Sequence, residues 1–238
     1  CSTTKYVPDG SYLLDEVRIH TDNKNVKPSN LSIYVRQNPN SKWFSLIKTQ
    51  LYVYNWSGRD STRWVNRALR RLGDAPVIYS KEETERSREE MTKAVQNMGY
   101  MGATVEYIPK IKKKKVKLAY KVNTGEPYIV RSLKYDVQDE KIWEYMQKDS
   151  ASTYLSEGMY FNANILDSER QRITGNLLRN GYYKFNKDYI SYTADTVRGT
   201  YQVDLTLHLA RYRQHSGAEL QDHPQYTINK VNFIADYD

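Results

Sequence analysis

The feature that most constrains this chain is a helical pattern that stops on Asn180-Gly181-Tyr182 and passes straight into strand-like sequence. Leu166, Ile173 and Leu177 recur at helical spacing, with Arg170 between them on the same side. Gly181 stands where a helix stop needs positive φ, a conformation that costs glycine little. Tyr182 and Leu177 are then the two positions that meet in a Schellman-type stop. The same device occurs earlier. Arg88 lies eleven residues before Gly99, as Arg170 does before Gly181; Met91 and Val95 replace Ile173 and Leu177, and Tyr100 follows Gly99. Two copies of one helix-stop-strand unit, 82 residues apart, predict a chain built of repeats.

The order of elements fills in around these stops. Tyr12 to Ile19 reads as a strand, and Pro28-Ser29-Asn30 opens a short helix through Arg36. Ser80 starts the main helix, with Glu83 completing a capping box. Val105 and Tyr107 alternate with polar residues as one strand, and Val116, Leu118, Tyr120 and Val122 as the next. Lys112 to Lys115 between them read as a solvated hairpin tip, with contact to lipid headgroups as the functional alternative.

The second unit repeats this order: a strand at Ile129 to Tyr135, a helix from Asp139 to Gln147, the helix ending at Gly181, then two strands. Tyr183 and Phe185 are expected to begin the first of these, continuing through Tyr189 and Tyr192. Val203, Leu205, Leu207 and Leu209 form the second. Leu133 precedes Gly181 by 48 residues and Val17 precedes Gly99 by 82, an excess of 34 in the first unit. That excess points to an insertion at about 41–79, which holds Trp43, Trp56 and Trp64. Within it, Leu51 to Tyr54 reads as a strand or extended segment. Asp60-Ser61 is expected to cap a helix to Leu72, with Trp64, Val65, Ala68, Leu69 and Leu72 on one face and arginines, Arg67 among them, on the other. Aromatic and arginine side chains make good interaction surfaces, but most of these aromatics are expected to fold back onto their own domain.

The expected organisation is a tether at 1–11, a first domain at 12–125, a second at 126–213, a linker at 214–225 and the first strand of a truncated third unit at 226–238. A lone strand there could not bury Ile228, Val231 and Phe233, so a longer natural protein is expected. The one cysteine is Cys1, so no disulfide can form within the chain and no cysteine zinc site exists. Cys1-Ser2-Thr3-Thr4-Lys5 resembles the acylated end of a bacterial lipoprotein, which would attach the chain to a bilayer through Cys1.

Strand, helix, helix, strand, strand, with Gly-Tyr at the second helix end, resembles the POTRA (polypeptide-transport-associated) domain. The resemblance is clearest where Gly158, Phe161, Arg170, Ile173, Leu177, Gly181 and Tyr182 stand as in that family. With its insertion, the chain looks like the Bacteroidetes lipoprotein form, TamL, of the BamA/TamA outer-membrane assembly proteins. The resemblance implies an α+β fold of tandem β-α-α-β-β units, each a three-stranded mixed sheet packed on two helices. It also implies a periplasmic location ahead of a membrane β-barrel that this chain lacks. It further implies a scaffold that holds nascent outer-membrane proteins or a periplasmic accessory protein by strand addition at a sheet edge. The residues expected at partner-binding positions are Val105, Tyr107, Tyr183, Phe185 and Tyr189 at the edges, and Trp43, Trp56 and Arg67 in the insertion. Gly99, Tyr100, Gly181 and Tyr182 are structural. The alternative is a stand-alone lipoprotein adaptor that binds one dedicated partner through the insertion.

Catalysis has little support in the sequence. No glycine-rich phosphate loop is present, and no nucleophile and base stand in a recognisable pattern. His20 and His208 fall at outward strand positions; His215 and His223 sit with Glu219 and Asp222 in the polar linker, too irregularly for a metal site. A net charge of +8 permits nucleic-acid binding, but the lysines cluster in one hairpin with no base-stacking platform, so no nucleic-acid partner is expected. No enzyme activity, cofactor or metal is expected.

Overall fold

Apolar alternation in the strands and helical spacing between them build the same architecture twice. The computed structural model describes residues 3–41, 48–58, 60 and 62–233; Cys1, Trp43, Phe44 and Ser61 lie outside the described residues. The chain divides into two units, Cys1–Gln96 with Tyr100–Gly125, and Asn97–Gly99 with Glu126–Asp238.

In the first unit, β1 (Leu13–Thr21) runs parallel to β3 (Lys115–Asn123), which pairs antiparallel with β2 (Thr104–Lys112). The order β1-β3-β2 leaves β2 at an edge. Between β1 and β2 lie the one-turn α1 (Pro28–Leu31), α2 (Thr49–Trp56), α3 (Trp64–Leu72) and the long α4 (Lys81–Asn97). Alternate β3 residues Val116, Leu118, Tyr120 and Val122 are buried, as are Met91 and Val95 of α4. The Tyr120 hydroxyl donates to the Thr84 carbonyl of α4 at 3.4 Å, which places that sheet face against the helix. Each fully buried Leu or Val adds roughly 1.5–3 kcal/mol. Ser80 Oγ accepts from the Glu83 N–H at 3.3 Å, so the cap forms on the serine side; the Glu83 carboxylate pairs with Arg86 instead.

The second unit has β4 (Ile129–Val137), α5 (Glu140–Lys148), α6 (Ala163–Arg179), β5 (Ile190–Thr196) and β6 (Gln202–Leu209), with sheet order β4-β6-β5. Asp139 caps α5 by accepting from the Ile142 N–H at 3.1 Å, and Asn162 caps α6. Gly181 takes φ +90°; the Tyr182 N–H donates to Leu177 O at 3.1 Å and the Gly181 N–H to Leu178 O at 3.2 Å. This is the Schellman pair of bonds. Gly99 (φ +99°) ends α4 likewise, with the Tyr100 N–H donating to Val95 O at 3.4 Å.

The two units correspond in their register shifts and in the bonds along the first strand's outer edge. β1 slips register between Leu14 and Glu16, and β4 between Val130 and Ser132. The outer edge of the first strand is covered in each unit by the segment leading into the long helix. In the first, Leu14 N–H donates to Val77 O and Tyr79 N–H to Tyr12 O, both at 2.8 Å. In the second, Val130 N–H donates to Met159 O at 2.9 Å and Phe161 N–H to Tyr128 O at 2.8 Å. Leu14 and Val130 stand 116 residues apart, Val77 and Met159 only 82; the difference, 34 residues, is the length inserted in the first unit.

Five expectations are corrected. Leu51–Tyr54 is helical, as part of α2, because Leu51 and Asn55 are four apart and both buried on one helix face. Asp60 does not cap α3; its carboxylate accepts from the Thr62 N–H and hydroxyl, and the helix starts at Trp64. Tyr183 to Tyr189 is turn and 3-10 structure rather than strand, because Asn186 Oδ1 accepts from the Asp188 N–H and curls the backbone; β5 begins at Ile190. Residues 226–233 form no strand: the Tyr226 N–H is taken by Gly181 O at the end of α6 rather than by a sheet, and Ile228, Val231 and Phe233 are exposed. His223 is buried rather than in a solvated linker. Its Nε2 lies 2.9 Å from Ala210 O, and its ring packs on Phe185, Tyr189 and Tyr212.

Candidate functional site

Ladder parity decides which backbone groups of the edge strands face outward. In the first unit, Leu13 N–H donates to Lys114 O and Asp22 N–H to Val122 O, so the even residues of β3 face β1 and the odd ones face β2. Through the β2–β3 register, Val105, Tyr107, Pro109 and Ile111 then turn their backbones outward. Pro109 has no N–H to offer, so this edge carries a gap in its row of donors. In the second unit, Val197 N–H donates to Gln202 O at 2.9 Å and Ala210 N–H to Tyr189 O at 2.8 Å. The same parity turns Tyr192, Ala194 and Thr196 outward, with no proline among them. Among the described residues no backbone partner falls on these three. β5 is therefore a short open edge with an unbroken donor row, and β2 an interrupted one.

The side chains named from sequence distribute as follows. Val105 is buried and Tyr107 half-buried on β2. Burial raises the Tyr107 hydroxyl above its usual pKa, and the nearby Glu85 carboxylate adds to this. Phe185 is buried in the core, so it is unavailable to a partner. Tyr189 is half-buried against Phe185 and His223. Tyr183 is 59% exposed and meets the Tyr226 ring edge-on, with centroids 4.4 Å apart, beside the edge rather than on it. Tyr192, which carries an outward backbone, is anchored by its hydroxyl to Leu166 O at 3.2 Å, and burial pushes its pKa up. Its alternation with Ile190 was visible in the sequence, but the turn before it was not.

The insertion holds a second surface. α3 is pinned to what lies beneath it by polar groups. The Asn66 side chain accepts from the Gly58 N–H at 2.7 Å and donates to Asp60 O at 2.7 Å. Arg70 donates to Gly58 O at 2.9 Å and lies over the Tyr6 ring. At the helix end a Cβ on Gly73 would meet Tyr54 N at 2.4 Å, so only glycine allows α3 to approach α2 this closely. Trp64, Val65 and Leu72 point the other way: Trp64 is 73% and Leu72 72% exposed, with Val65 and Arg67 exposed beside them. Trp64 thus departs from the expectation that most of the insertion's aromatics fold back, whereas Tyr52 and Tyr54 are half-buried. Trp56, at the end of α2, is 64% exposed. Trp43 lies outside the described residues.

The lysine hairpin turns on Lys113 at φ +56°. With Thr3, Tyr52 and Asp15, the hairpin lysines line a shallow cavity of about 590 Å³.

Residues 12–125 match the family model for POTRA, the surface antigen variable number repeat. That segment, 114 of the 238 residues, is similar to a POTRA domain. The second unit repeats the POTRA order of strands and helices. Similar solved structures include BamA from Haemophilus ducreyi lacking POTRA domains 1-3, at 18% identity and a TM-score of 0.40, covering 83% of this chain and 29% of that one. BamA POTRA3-5 from Haemophilus influenzae gives 15% identity and a TM-score of 0.33, over 86% of this chain and 99% of that one. POTRA1-2 of the periplasmic domain of Omp85 from Anabaena gives 12% and 0.34, over 85% and 98%. The chain thus spans under a third of the Haemophilus ducreyi chain. No match was found among curated protein sequences.

Proposed function

We propose that this chain is a non-enzymatic periplasmic scaffold of an outer-membrane protein assembly factor, and that it holds extended segments of client or accessory proteins along the outer edge of β5. The observation that carries the reading is the outward row Tyr192, Ala194 and Thr196, an unbroken run of backbone donors and acceptors at a sheet edge. Such an edge gives affinity through the backbone with little demand on sequence, which suits varied clients. The POTRA match over 12–125 supports the placement. Within the same reading the chain is of the TamL type, precedes a β-barrel, and is acylated at Cys1; mass spectrometry of the native N-terminus tests the last point.

The edge itself is tested with Ala194→Pro. The substitution removes one outward N–H and sets a ring against an incoming strand, while the bonds to β6 fall on Thr193 and Asp195 and are untouched. Binding of a synthetic peptide of alternating polar and apolar residues is expected to weaken about tenfold with an unchanged melting temperature. Equal affinity for parent and variant would remove β5 as the binding edge. Thr193→Pro, which breaks the ladder, is expected to lower the melting temperature instead.

A further inference from the structure

The amphipathic pattern of α3 is turned inside out. Around the helix, Asn66, Leu69 and Arg70 face the body of the unit, with Asn66 and Arg70 making the hydrogen bonds that hold it there. Trp64, Ala68 and Leu72 follow at four-residue spacing on the opposite side, with Val65 next to Leu72, and Trp64, Val65 and Leu72 are exposed. A surface helix ordinarily buries this stripe. Here polar anchors hold the helix down and an apolar strip is presented outward.

What borders the strip indicates what it meets. Arg67 and Arg71 flank Trp64 on one side, both exposed and with no ion pair among the described residues. Arg63 precedes the helix, and α3 itself contains no acidic residue. No helix of the described residues is long and apolar enough to cross a membrane. A nine-residue helix with Trp, Val and Leu outward and arginines along the margin has the composition of one that lies in a bilayer interface. Its apolar side chains enter the acyl boundary and its cations meet anionic headgroups. We infer that α3 seats the first unit on an anionic phospholipid surface, with Trp64, Val65 and Leu72 inserting and Arg67 and Arg71 contacting headgroup phosphates. This membrane contact is separate from the β5 edge and from any acyl chain on Cys1.

Flotation of the 238-residue chain carrying Cys1→Ser, with phosphatidylcholine vesicles with or without phosphatidylglycerol, tests this. The parent is expected to float with the anionic vesicles and much less with the neutral ones. Arg67→Gln with Arg71→Gln is expected to lower the partition coefficient about 30-fold, each arginine near an anionic surface being worth about fivefold. Trp64→Ser with Leu72→Ser is expected to lower it at least about tenfold. All four side chains are exposed, so circular dichroism and melting are expected to match the parent. Three outcomes would overturn the inference. Both double variants could float like the parent. Flotation could be lost only on Lys112→Gln with Lys113→Gln, which would place the contact at the hairpin. Or the parent could ignore vesicles yet self-associate in light scattering until Trp64 and Leu72 are replaced, which would make the strip an interface between copies.

Discussion

Tyr182 donates its main-chain N–H to the carbonyl of Leu177 at 3.1 Å, and both side chains are buried. The bond closes the end of α6 and turns the chain toward β5, so the helix stop sets where the open edge begins. It depends on Gly181, whose backbone sits at φ +90° and whose carbonyl accepts from the Tyr226 N–H at 2.8 Å. A Cβ there would meet Tyr226 O at 2.5 Å. Gly158 has a similar φ of +83° but open space around it. Gly181→Ala is therefore expected to cost more than the roughly 1–2 kcal/mol of left-handed strain, and Gly158→Ala no more than that strain. Urea unfolding of the two variants measures the difference; equal costs would mean that the Tyr226 contact is easily moved.

Much of this was readable because repeats check each other. The Gly-Tyr stops gave a register from which the 34-residue excess followed, and the paired bulges and edge bonds fall on that register. The turn at Tyr183–Tyr189 was not readable. Tyr, Phe and Ile there satisfy strand patterning, and only the Asn186 side chain, bonding two residues on, curls the backbone away. The outward face of α3 was missed for a related reason. Periodicity shows that a helix has an apolar stripe, but Asn66 and Arg70, finding Gly58 and Asp60 by tertiary contact, decide which side is down. Ladder parity at β5 needs the pairing register, which no single strand's sequence contains.

Glu169 is the most deeply buried carboxylate of α6. Burial alone would raise its pKa. Hydrogen bonds from Arg172, the Tyr154 N–H at 3.0 Å and the Thr153 hydroxyl at 2.7 Å outweigh that and hold it below the usual value. Asp149 also pairs with Arg172. Glu169→Ala is expected to destabilise by about 3–5 kcal/mol, because Arg172 loses a buried partner and the Thr153 and Tyr154 donors lose their acceptor. Replacing Glu169 and Arg172 together by leucine is expected to cost much less than the sum of the single changes, and a double-mutant cycle measures that coupling.

The pKa of His223 is also shifted down, but here burial is the cause. Burial lowers its pKa, despite the Ala210 carbonyl and the carboxylates of Asp139 and Asp222 nearby, which favour the charged form. Because the folded value lies below the unfolded one, the folded state binds fewer protons than the unfolded state at a pH between the two. The stability this residue confers is complete above about pH 6.5 and declines as pH drops from there to the lowered folded value. His223→Gln, which does not titrate, is expected to flatten the stability profile over that window. Melting curves from pH 7 down to about 5 compare the two. Parallel profiles for both proteins would show that other groups carry the acid response.

Pro109 bears on why two similar edges should differ in use. It stands at an outward position of β2, between Tyr107 and Ile111, and interrupts the donors that a new strand would need. Lysines at 110 and 112 to 115 then follow toward the hairpin tip. Proline and lysine on an edge both discourage pairing with other chains. Pro109→Val restores the N–H at a position where the β3 ladder does not use it. One regained hydrogen bond is worth about 1 kcal/mol, so association through β2 is expected to strengthen about fivefold. The measurement is peptide affinity, with light scattering to detect self-association, in an Ala194→Pro background where β5 is blocked. A gain there would show that β2 has the geometry of a binding edge and that Pro109 keeps it closed. An unchanged affinity would place the block in the lysine charges instead, and adding Lys110→Thr and Lys112→Thr to the same chain would then raise it.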